Sequence, residues 1–200
     1  MSNAKIILAS ASASRHAMLS AAGLEFVSLV SGVDEDVITE RLSGRRVDGG
    51  DIAGALAEAK ATRVSTQRPE ALVIGADQIL VCEGKVLGKA QDETAARRTL
   101  TTLKGRWHSL ISAAVIARGG KAVWQQSETA RLHMRDFSAS FLDAYLAAEI
   151  PGVLGSVGCY RIEGRGAQLF DRVEGDQFCI RGLPLIGLLN ALRDQGALPS

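Results

Sequence analysis

The chain has 200 residues, of which 46% are hydrophobic and 22% charged, and its net charge is +1. That balance fits a globular domain with a full core and leaves no basic footprint for duplex nucleic acid or an anionic membrane. No apolar run approaches the ~20 residues of a membrane span, and the first is shorter than the roughly 7–15 of a secretory signal, so one soluble, cytoplasmic domain is expected.

"KIILASASASR" opens the readable pattern, with Ile6–Ala9 as a short buried strand and a helix from about Ser14 to Ala22, stopped at Gly23. Phe26–Ser31 reads as a second strand, followed by the acidic loop "GVDED". A helix follows from an Asp51 N-cap to Gln67, with Ile52, Leu56 and Ala59 as its apolar stripe. "ALVIGADQILVCEGKVLG" predicts two strands around Gly75–Asp77 and a turn at Glu83-Gly84-Lys85. The next helix, from Asp92, stops at Gly105. A long hairpin spans 106–134 and folds at Gly119-Gly120, where two glycines supply the positive φ of a primed turn. Beyond it come a helix capped by Ser138 or Ser140, short strands near Cys159–Ile162 and Gln168–Val173, and a last helix inside "GLPLIGLLNALRDQG". This mixture of hairpins and helices favours a mixed α/β sheet over a regular βα repeat.

Chemistry gathers at three places. The turn Ser10–Arg15 joins a strand to a helix start through the smallest side chains, so a ligand can approach backbone N–H groups and the positive end of the helix dipole. Ser10 and Ser12 add hydroxyls and Arg15 a cation; an ordinary serine cap remains the simpler reading. In "VIGADQ", Asp77 follows a buried strand, a position from which a carboxylate can hold a divalent cation or activate water, or merely form a turn. Lys60 falls on the inner side of its Ala-rich helix, and Lys89 closes "VLGKA". "VDED" supplies Asp34 or Glu35. His16, His108 and His133 have neither metal-ligand nor triad spacing. Cys82, Cys159 and Cys179 show no CxxC and read as buried thiols. A phosphate cradle, two lysines and paired carboxylates suit metal-assisted attack on a polyphosphate.

The blocks "ILASASASR", "VDE", "LAEAKA", "VIGADQ", "LKGRWH", "GCYRIEGRGA" and "VEGDQFCIRGLPL" occur in the order found in the Maf family. The resemblance runs from about Ile6 to Leu192. It implies a mixed α/β, two-lobed fold with a central cleft, related to the inosine triphosphate pyrophosphatases. It also implies a homodimer and hydrolysis of a nucleoside triphosphate to monophosphate and pyrophosphate with Mg²⁺ or Mn²⁺. By the same resemblance Asp77 is the catalytic acid/base; on physical grounds it is expected to hold the metal or orient the attacking water, with Glu35 assisting as a ligand. Ser10, Ser12, Arg15, Lys60 and Lys89 meet the phosphates. Glu163 stands where many members carry Gln, as in the subgroup acting on 7-methyl-GTP; a carboxylate only accepts hydrogen bonds and can pair with a guanine's N1–H and N2 amino group. Ser156 replaces a lysine common in the family. The alternatives are a dTTP/UTP pyrophosphatase of the same family and a regulator of septation that binds nucleotide without hydrolysis.

Overall fold

The computed structural model describes residues 5–43 and 49–199. Among them, seven strands form a mixed sheet in the order β2-β1-β3-β5-β6-β7, with β4 paired to β3. The strands are β1 Ile6–Leu8, β2 Val27–Ser28, β3 Leu72–Cys82, β4 Lys85–Leu87, β5 Trp107–Arg118, β6 Lys121–Met134 and β7 Phe170–Glu174. The helices are α1 Ala13–Ala21, α2 Glu35–Ser43, α3 Gly49–Gln67, α4 Glu93–Leu103, α5 Ala139–Glu149, α6 Gln177–Ile180 and α7 Leu185–Asp194.

The residues cluster into two compact units, and β3, β5 and β6 contribute to both. The first comprises the described residues of Met1–Gln78, Ser112–Glu128 and Gly182–Ser200. Its β1 is apolar at every position because it pairs in parallel on both sides, Ile7 lying opposite Val27 and Val73. Strands inside a parallel arrangement are covered on both faces and read as continuous apolar runs. Ile7, Ala9, Val64, Ala71 and Val73 pack together under that logic.

The second unit comprises Ile79–Ile111 and Thr129–Arg181. Leu80, Leu100, Leu103, Leu110, Leu132, Met134 and Leu146 are fully or almost fully buried in its core. Asp92 and Ser138 cap α4 and α5, accepting from the N–H groups of Ala95 and Phe141. Two buried tyrosine hydroxyls are paired: Tyr145 Oη donates to the Cys159 carbonyl, and Tyr160 Oη lies 2.7 Å from His108 Nε2. All three cysteines are buried thiols outside any disulfide.

Several local expectations are corrected. The strand predicted at Phe26–Ser31 shrinks to Val27–Ser28, and the acidic loop becomes the start of α2, where the Asp34 carboxylate accepts from Val37 N–H at 3.2 Å. Asp51 lies inside the first turn of α3, whose dipole it favours, rather than capping the helix. The two strands around Gly75–Asp77 are one continuous strand. Cys159–Ile162 is no strand, because Gly158 and Cys159 both have positive φ and close a 3-10 turn over Val157–Cys159. Gly119 and Gly120 do turn the β5–β6 hairpin, both at positive φ.

Candidate functional site

Ala9 N–H donates to the Ile74 carbonyl, so β1 delivers the chain beside β3 before it bends into α1. Ser12 caps that helix, its Oγ accepting from Arg15 N–H at 3.4 Å, while Ser10 Oγ accepts from Ser12 N–H at 3.2 Å. The first turn of α1 then carries Arg15 inward. Its Nε donates to the Gly182 carbonyl at 2.8 Å; Nη1 donates to the Ala76 carbonyl at 2.9 Å and to Ser10 Oγ at 3.3 Å. Nη2 makes no hydrogen bond among the described residues. Burial lowers the proton affinity of the guanidinium, and the charges of Asp77 and Glu35 oppose that shift. An arginine in such a setting keeps its charge.

The second half of the site is built by a glycine. A Cβ on Gly75 would lie 2.2 Å from the Ala57 carbonyl oxygen and 2.6 Å from Ala61 N, so the α3 backbone rests directly on β3 there. Gly75 and Asp77 are two apart on a strand and share a face; Ala57, Lys60 and Ala61 share a face of the helix. The close approach therefore sets Lys60 over Asp77. Its Nζ lies 2.6 Å from Asp77 Oδ1 and 2.7 Å from Glu35 Oε1 at the start of α2. Lys60 and Asp77 are each 7% exposed, whereas the Glu35 side chain is half open. A buried ammonium and a buried carboxylate are tolerable together because each offsets the other's desolvation. Arg15 and Lys60 thus bring two cations to the carboxylates of Asp77 and Glu35.

Ser10, Ser12, Arg15, Glu35, Lys60 and Asp77 thus meet in the first unit. Lys89 and Glu163 belong to the second. Lys89 is exposed in the segment after β4, and Glu163 is exposed with Arg181 Nε 3.8 Å from its Oε1. Sequence reasoning missed the two carbonyls, of Ala76 and Gly182, that orient Arg15. Backbone acceptors leave no side-chain signal, and the φ of 102° that glycine permits at Gly182 is read only from the fold. Gln78, which follows Asp77 and with Glu163 resembles the 7-methyl-GTP subgroup, donates from Nε2 to Ser112 Oγ at 3.0 Å, a partner the sequence does not mark.

Among the described residues no three His, Cys, Asp or Glu side chains group as a metal site. The donor set still fits a hard divalent cation that arrives with its substrate, since Mg²⁺ commonly takes one or two carboxylates and fills its remaining positions with phosphate and water. Glu35 and Asp77 would be those carboxylates. No described helix is long and apolar enough to cross a membrane.

Fold and site together define a mixed α/β protein with a buried acid–lysine–arginine cluster beside a strand-to-helix turn, an arrangement suited to a polyanion. The sequence model of the Maf-like proteins matches residues 5–195, and the chain belongs to that family. It is 49% identical to a nucleoside triphosphate pyrophosphatase of Granulibacter bethesdensis over 97% of this chain and 98% of the relative. It is 47% identical to a 7-methyl-GTP pyrophosphatase of Mesorhizobium japonicum, again over 97% and 98%. A solved dITP/XTP pyrophosphatase from Mycobacterium abscessus overlays 74% of this chain and 98% of its own at 17% identity; its TM-score of 0.40 is too low to carry an argument.

Proposed function

We propose that this chain hydrolyses a nucleoside triphosphate between its α and β phosphorus atoms, releasing the monophosphate and pyrophosphate. The observation that carries the reading is the Lys60 ammonium held between Asp77 and Glu35, beside an arginine that feels both carboxylates. The names of the relatives from Granulibacter bethesdensis and Mesorhizobium japonicum support it.

Asp77 uses Oδ1 on Lys60 and makes no other hydrogen bond among the described residues, so Oδ2 is available to take a proton from water. The water oxygen forms the new bond to the α-phosphorus; the bond to the bridging oxygen breaks, and its electrons leave with pyrophosphate. Arg15, fixed by two carbonyls, presents Nη2 to a phosphate oxygen without having to reorganise, the form of electrostatic help worth most in a water-poor site. Lys60 supplies the second positive charge. A divalent cation held by Glu35 and Asp77 supplies Lewis-acid polarisation of the phosphoryl oxygens. Lys89 and Glu163, in the second unit, enter the reading through the family resemblance. Glu163 there selects 7-methyl-GTP by accepting from the guanine edge, and a homodimer is part of the same reading.

A pyrophosphate-release screen with Mg²⁺ or Mn²⁺ over the canonical nucleotides and 7-methyl-GTP tests it, with wild type beside Asp77→Asn and Glu163→Gln. Release from 7-methyl-GTP should dominate and fall by about 10²–10⁴-fold in Asp77→Asn, the usual contribution of a general base. Glu163→Gln should move preference towards dTTP or UTP. A wild-type preference for those two keeps the reaction and discards the base assignment. Silence on every nucleotide sinks the reaction and favours binding without hydrolysis.

A further inference from the structure

We infer that Lys60 is the resident cation of the site: its ammonium holds the place between Glu35 and Asp77 and must swing away before a divalent ion can enter. The two carboxylates come from the start of α2 and the middle of β3, and one nitrogen, brought by α3, touches both at 2.7 and 2.6 Å. An ion ligated at about 2.1 Å by either oxygen lies within about 5 Å of that nitrogen. Lysine and ion therefore repel each other in a buried place, where screening is weak. The inference rests on the nucleotide reading only for what draws Lys60 off; the occupancy itself stands on geometry.

The two cations of the site are built differently, and the difference supports this role. Arg15 is anchored through Nε and Nη1 to the Gly182 and Ala76 carbonyls and cannot move without stripping both. Lys60 is held only by the two carboxylates, on a flexible four-carbon stem with rotatable donors. It can exchange carboxylate for phosphate by rotation alone. A bare divalent ion would bring two further positive charges to compete with Lys60 and Arg15 for the same carboxylates. The same ion accompanied by a polyphosphate would not. Metal and nucleotide therefore bind with positive coupling, and each strengthens the other by the same factor.

Free Mn²⁺ measured by electron paramagnetic resonance, without nucleotide, tests the claim on folded protein verified by circular dichroism. Wild type and Lys60→Arg should bind Mn²⁺ weakly, Lys60→Met at least tenfold more tightly, and Lys60→Met with Glu35→Gln should lose that gain. Equal affinity in wild type and Lys60→Met overturns the inference. A second measurement needs no variant: anomalous diffraction from wild-type crystals grown with Mn²⁺ and a non-hydrolysable nucleoside triphosphate. Mn²⁺ on Asp77 with Lys60 Nζ drawn off that carboxylate supports it. Mn²⁺ absent, bound elsewhere, or on the carboxylates with Lys60 still touching both overturns it. Neither measurement requires turnover, so failure of pyrophosphate release on every nucleotide removes the proposed reaction and leaves these outcomes as they stand.

Discussion

Arg15 shows how a simple and a specific reading of one turn can both hold. Ser12 is the ordinary helix cap that its residue type favours. The same cap starts α1 at Ala13 and so aims Arg15, two residues on, at the Ala76 and Gly182 carbonyls. Carbonyl oxygens and the charges of Asp77 and Glu35 compensate part of this cation's charge. Arginine alone among the cations has a rigid planar fork that fits two acceptors at once. Arg15→Lys should therefore behave much more like Arg15→Ala than like wild type. Both should lose at least 100-fold in kcat/KM for pyrophosphate release. Both should also lose stability in urea titrations, at about 1–3 kcal/mol for each buried acceptor left unpaired. Wild-type kcat/KM in Arg15→Lys would show that charge alone suffices there.

At the scale of elements, the contact between α3 and β3 makes the site. "VIGADQ" reads as a strand ending at a glycine, because glycine weakens strands and marks turns. In the fold the strand continues through Gly75, which is needed there for the missing Cβ and not for its dihedral freedom. The small residues Ala57 and Ala61 on the facing helix are the complement of that absence. Gly75→Ala should push α3 away and carry Lys60 off Asp77. The expected result is a loss of about 1–3 kcal/mol from overpacking, with a fall in pyrophosphate release of more than tenfold. A Gly75→Ala protein with full activity would mean that Lys60 need not sit where α3 places it. α2 teaches the converse lesson: "VDED" looks like a loop, yet Asp34 binds the N–H of Val37, and the helix that follows presents Glu35 to Lys60 from its first residue.

For the molecule as a whole, the second unit carries a pH dependence that its core packing imposes. His108 is 2% exposed, with Nε2 on Tyr160 Oη and its ring beside Phe170. Its Nδ1 has no hydrogen-bond partner among the described residues. Burial, helped by the charge of His133, lowers its pKa to about 4 from the ordinary 6.5. The fold therefore holds the neutral imidazole, and the unfolded chain binds the extra proton between those values. Stability from this group is complete above about pH 6.5 and is lost as the pH falls towards 4, in total roughly 3 kcal/mol. In urea titrations, the advantage of wild type over His108→Gln should shrink by roughly 2–3 kcal/mol between pH 7.5 and 4.5. A gap that stays constant would mean that His108 titrates normally.

Local pattern determined the helices α1, α3, α4, α5 and α7, the glycine hairpin between β5 and β6, and the mixed α/β class. Those features depend on periodicity, caps and turn residues that neighbours in the chain enforce. It also marked Ser10, Ser12, Arg15, Lys60, Lys89 and Asp77, because charged or small residues in apolar surroundings stand out, whereas the choice of Glu35 over Asp34 came from the family resemblance. What joins them was not legible. The parallel register of β1 on β3, the glycine seat for α3, and the carbonyls of Ala76 and Gly182 are contacts between residues far apart in the chain. The acceptors that aim Arg15 belong to the backbone, which every residue carries alike. Only the tertiary structure decides which carbonyl faces which guanidinium, and which ammonium stands between two carboxylates.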